Sequence, residues 1–154
     1  MNDTQGRYDD RLLVVIEDGI TLPDLIDRVA DARGKPMRVV ELPELSNNGS
    51  LCGMWLSTDT EDIVLHAPSE SALHREQFIL HELAHMILRH DRLTPAASAE
   101  PLLDGVDPSD VRAVLTRDRM GDELERAAEF LADELAGAIR RRRRARSRFL
   151  EVFG

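Results

Sequence analysis

The sequence predicts an α+β domain in which a small three-stranded sheet packs on one buried helix and on a long last helix. Three observations predict it: short β-rich runs are confined to residues 37–67, helical spacing dominates after Pro68, and the segment around His81 is apolar on every side of a helix. At 154 residues, with 42% apolar and 32% charged, the chain has room for one core and would be crowded with two. The domain is expected over residues 11–139, between a polar, loosely held flexible N-terminus, 1–10, and an arginine-rich C-terminal tail, 140–154.

Taken in order, RLLVVIEDG (Arg11 to Gly19) places Leu12, Leu13, Val15 and Ile16 at helical spacing, although it is rich in β-branched residues, and is read as a helix. Leu22 to Arg33 is a stronger helix, with Thr21 to cap it, Pro23 in the first turn, a Leu25, Ile26, Val29 stripe and Gly34 to end it. MRVVEL (Met37 to Leu42), LCGMWLS (Leu51 to Ser57) and DIVLHA (Asp62 to Ala67) are read as strands, separated by turn residues such as NNG at Asn47 to Gly49. The last two are joined by Thr58 to Glu61 and are expected to form an antiparallel hairpin. A helix follows from about Ser71 to Arg89, then a loop around Thr94 to Asp107. A short helix opened by Asp107 and Pro108 comes next, then a long one from about Asp122 into the arginine run.

Several classes are disfavoured from the start. Cys52 is the single cysteine, so no internal disulfide forms, and MNDTQGRYDD lacks the basic and apolar regions of an export signal. The expected location is the cytoplasm, with no membrane span. Net charge is −9, yet seven of the 20 basic residues lie between Arg140 and Arg148, leaving 13 basic against 29 acidic residues elsewhere. Such a body repels nucleic acid, and a run of arginines at a helix C-terminus suits the helix dipole, so no direct nucleic-acid binding is expected.

Within HELAHMILRH the apolar positions from Phe78 to Leu88 leave no polar stripe except His81, Glu82 and His85. A helix of this kind is buried, and an unpaired buried polar group costs about 1 to 3 kcal/mol, so something inside must engage these three. Residues four apart lie on one helix face. Two imidazoles there can reach one metal ion, and the glutamate beside the first can address an ion-activated water. Satisfied core histidines are the plainer alternative.

A catalytic zinc takes three protein ligands, so a third donor must come from elsewhere. In ELERAAEFLADEL (Glu123 to Leu135), Glu125, Ala128, Glu129 and Ala132 share a face, and the two alanines permit close approach to the HExxH helix. Glu125 is the candidate ligand, and Glu129 is placed to orient a ligand histidine from behind. Asp122 with Glu125 is also a reasonable helix-capping pair.

HELAHMILRH, followed some forty residues later by ExxAExLA (Glu125 to Ala132), resembles the ImmA/IrrE family of bacterial metallopeptidases. GMW at Gly53 to Trp55 and REQFILHELAH fit the compact members found beside helix-turn-helix regulators, and the likeness runs from about Asp24 to Ile139. The resemblance implies a minimal zincin-like fold, His81 and His85 as metal ligands, Glu82 as general base and Glu125 as third ligand. It implies Zn2+, with Mn2+ as another possible metal, and a helix-turn-helix (XRE-type) repressor as substrate, cleaved in trans to relieve repression. The chain departs from the family at Glu129, where Asn or Asp is usual, and at Ala127, where a second glutamate is frequent. Its only tyrosine is Tyr8, so a transition-state donor is sought among His66, His74 and His90. Trp55 either shapes a substrate pocket or packs in the core. The rival reading is a non-catalytic, metal-stabilised regulatory module that binds and sequesters a transcriptional regulator.

Overall fold

The structure, a computed structural model, describes residues 11–48, 53–93, 106–107, 110–115 and 117–153. The first helix, α1, spans Leu22–Arg33. Thr21 Oγ1 accepts the Asp24 N–H (3.2 Å) at its start, and Gly34 ends it in the left-handed region (φ 75°). Strand β1 is Met37–Glu41, β2 is Gly53–Thr58 and β3 is Asp62–His66. Helix α2, Ala72–Ile87, opens at Ser71, whose hydroxyl accepts the His74 N–H. It leads into a short 3-10 turn, His90–Leu93. Strand β4, Val111–Leu115, precedes the helical stretch α3, Arg117–Phe153, which is broken at Gly121 (φ 75°, ψ 160°). No helix among the described residues is long and apolar enough to cross a membrane.

The class is the expected mixture of helix and sheet, but the sheet has four strands, in the order β1-β3-β2-β4. β1 runs parallel to β3, while β2 is antiparallel to both β3 and β4, so the expected hairpin is present. The fourth strand replaces the short helix expected after Asp107 and Pro108. β2 is buried from Met54 to Thr58, and a buried strand needs its outer N–H and C=O groups paired, which β4 does from Trp55 to Thr58. The stretch VRAVL is rich in valine but does not alternate polar with apolar residues, so its local pattern marks a strand only weakly.

The expected helix at Arg11 to Gly19 is also absent. The segment is irregular and extended, with Leu12 buried, Leu13 96% exposed and Val15 72% exposed. Its backbone serves the helices instead. The Leu12 N–H donates to the carbonyl of Ile87 (2.9 Å), the final residue of α2, and the Gly19 N–H donates to Ala138 of α3 (3.0 Å). The arginine run, expected as a tail, continues the helix to Phe153. The expected flexible segment 1–10 and most of the expected loop after Thr94 lie outside the described residues.

The two faces of the sheet are filled separately. Trp55, Val64 and Val39 face α1, α2 and α3 and join Leu25, Val29, Leu80, Leu83, Ala128, Leu131 and Leu135 in one core. Met54, Leu56, Ile63 and Leu65 face the other way, with Leu45 and Val114. Gly53, two residues before Trp55, therefore turns toward α2, and this places the start of β2 beside Glu82.

Candidate metal centre

The central turns of α2 present His81 and His85 four residues apart, and α3 crosses them with Glu125. Close crossing is possible because the α3 residues Ala128 and Ala132, both fully buried, are small and share one core with Leu80, Leu83 and Ala84 of α2. His81 Nε2 lies 2.9 Å from Glu125 Oε2, His85 Nε2 lies 3.2 Å from Glu125 Oε1, and the two Nε2 atoms are 3.2 Å apart. Donors about 2.0 to 2.1 Å from one ion at tetrahedral angles are themselves roughly 3.3 Å apart; the two imidazole nitrogens stand near that spacing from each other and each from one carboxylate oxygen, and one donor atom from each residue lies within 4.8 Å of the others. The residues fit the ion. The capping role weighed for Glu125 does not describe its carboxylate, which is engaged by the imidazoles.

Electrostatics follow from this packing. Burial works to raise the Glu125 carboxyl, but hydrogen bonds from His81 and His85 outweigh it and hold the group well below the carboxylate range. Burial lowers His81, yet the hydrogen bond to Glu125 and the charges of Glu82, Glu125 and Glu129 leave it raised. His85 is only 2% exposed, and burial leaves it lowered despite the same carboxylate. A neutral imidazole is the form that ligates a metal. The side chain of His81 is 27% exposed against 2% for His85, so the centre opens on the His81 flank.

Glu82 is buried, and burial pushes its carboxyl up to about 8, with His81 opposing the shift and Glu125 adding to it. A Cβ on Gly53 would lie 2.9 Å from Glu82 Oε1, closer than real contacts, so the missing side chain at 53 is the space the Glu82 carboxyl occupies. Nothing in the sequence ties these two residues together, because the contact depends on how β2 meets α2.

The remaining predicted residues are not gathered in the same way. His90, in the 3-10 turn after α2, is buried on the far side of His85, with Nδ1 facing Nδ1 at 2.7 Å. It therefore stands behind a ligand and not over the open flank, where a transition-state donor belongs. His66 is buried at the end of β3 with Nδ1 against the Ala67 carbonyl (3.0 Å). It lines a separate recess of about 470 Å³ with Glu41, Arg75 and Ile79. His74 sits exposed in the first turn of α2, stacked on Phe78. Glu129 is exposed, and among the described residues no hydrogen bond joins it to His81 or His85; its charge alone reaches His81.

Trp55 presents no surface to a substrate. It is fully buried, its Nε1–H donates to Asp62 Oδ1 (3.0 Å), and the Arg33 guanidinium lies 4.5 Å from the ring centre. Its neighbours in the core account for a large aromatic at that position, and the pocket role expected for it is withdrawn. The Asp62 it binds is a buried carboxylate that sequence reading passed over. Compared with known proteins, the chain matches no protein-family model, no curated protein and no solved structure.

Proposed function

We propose that the protein is a zinc-dependent endopeptidase of the ImmA/IrrE type with a zincin-like fold, acting on a helix-turn-helix regulator. The convergence of three donors beside a buried carboxyl group that is not one of them carries this reading. A structural zinc site closes with four protein ligands and has no use for a neighbouring base, whereas three ligands leave a position open. The choice of a repressor as substrate rests on the sequence resemblance alone.

His81, His85 and Glu125 would hold the ion. Two imidazoles and a carboxylate suit zinc, and Mn2+ is the alternative. When bound, the ion supplies Lewis acidity toward water and a peptide carbonyl. Glu82 supplies the base: burial makes its carboxylate hold a proton more strongly than a solvated one, so it takes the proton of the attacking water and returns it to the leaving amine. Gly53 leaves the room in which that carboxylate sits, and the exposed flank of His81 is the side from which a peptide approaches.

The test uses the zinc-loaded parent and the Glu82→Gln protein, incubated with a panel of XRE-type helix-turn-helix regulators, with products followed by mass spectrometry. Cleavage is expected from the parent and a rate about 10²- to 10⁴-fold lower from the variant, at equal metal content. His81→Ala should abolish loading in elemental analysis. Equal cleavage by both proteins removes Glu82 from the chemistry. Binding without cleavage by the loaded parent would make the sequestering, non-catalytic module the better reading.

A further inference from the structure

We infer that His90 is a positioning residue for the metal centre, fixing through a single shared proton which nitrogen of His85 faces the ion. The two Nδ1 atoms are 2.7 Å apart and the rings meet at 61°. Two lone pairs at that distance repel, and two N–H groups collide, so one proton lies between the nitrogens. Both residues are buried, which makes the pairing costly to leave unmade.

That one proton is linked to the opposite edge of His85. With the ion absent, Nε2 carries a proton toward Glu125, so Nδ1 of a neutral His85 accepts from His90. With an ion on Nε2, the lone pair is needed there. His85 then carries its proton on Nδ1 and donates it to His90, whose own proton moves to Nε2. The pair holds two protons in both states; only their places change. His90 can serve either way because an imidazole both donates and accepts, and a carboxylate in its place could only accept.

The turn that holds His90 is itself anchored. Asp91 Oδ2 lies 3.6 Å from Arg33, whose guanidinium is bound to the buried Asp62 at the start of β3. Position 90 is thus fixed relative to the sheet as well as to α2, and the orientation it gives His85 does not depend on α2 alone.

This inference rests on the metal centre but not on peptide cleavage, and its test reads metal directly. Zinc affinity is measured by chelator competition for the parent, His90→Phe and His90→Asn, with folding followed by circular dichroism. His90→Phe keeps a ring without an acceptor and should bind about 10- to 100-fold more weakly, whereas the Asn amide oxygen, near the place of Nδ1, should recover most of the loss. In the zinc-loaded parent labelled with 15N-histidine, NMR should find the proton on His85 Nδ1, coupled across the hydrogen bond to His90 Nδ1. Parental affinity in His90→Phe, or a loaded parent whose His85 Nδ1 carries no proton, overturns the pairing and leaves the metal centre standing. A parent that loads no zinc overturns both. If His90→Phe does not fold, the NMR measurement on the parent decides alone.

Discussion

Glu82 shows what burial costs a carboxyl group. Its carboxyl is raised from 4.5 to about 8 by burial, so the folded state prefers the protonated form. For a raised acid the native chain binds more protons than the unfolded one between those two values, and stability falls as pH rises across that window. Glu82→Gln does not titrate. The metal-free variant should therefore match the metal-free parent near pH 4.5 and exceed it by a few kcal/mol at pH 8, read from urea unfolding at both pH values. A parent as stable as the variant at pH 8 would show that this carboxyl is not desolvated. The pairing of His81 with His85 was legible because i, i+4 spacing fixes a helix face whatever surrounds it. The placement of His90 was not legible: five residues beyond His85 the helix has ended, and only the path of the following turn decides which side of the ring it meets.

Among the elements, α1 matches its sequence reading from cap to cap because each end carries its own local signal, Thr21 with Pro23 and then Gly34. The extended segment from Arg11 and strand β4 were missed because neither is defined locally. One is held by Leu12 and Ile20 in the core and by hydrogen bonds to Ile87 and Ala138, and the other covers the edge of β2. Glu125 was found from sequence for the opposite reason, since its alanine neighbours mark the face that must meet another helix. How it is delivered depends on Gly121, whose φ of 75° and ψ of 160° fall where a side chain is rarely accommodated. This break redirects the chain four residues before Glu125. Gly121→Ala should cost about 1 to 3 kcal/mol in thermal unfolding and weaken zinc binding by moving the start of the helix that carries Glu125. Unchanged melting together with unchanged zinc affinity would show that the break is incidental.

Across the whole molecule, Asp62 is the point at which most layers meet. It is fully buried and receives Arg33 from the end of α1, the Trp55 indole from β2 and Lys35 at 3.7 Å, while Arg33 extends the connection to Asp91. Asp62→Asn keeps the shape and removes the charge that two cations share. We expect a loss of about 3 to 5 kcal/mol and a changed emission from Trp55, the only tryptophan. A variant within 1 kcal/mol of the parent would mean that Arg33 and Lys35 are satisfied without it. The spacing of the metal donors has a different kind of consequence, one of timing. His81 and His85 are placed by one turn of one helix, whereas Glu125 lies 44 residues from His81 and arrives only when α3 docks. Local turns form long before distant segments meet, and an isolated helix of this length is marginal in water. An ion that needs all three donors meets them only late in folding; it can latch a finished structure against opening but cannot seed one.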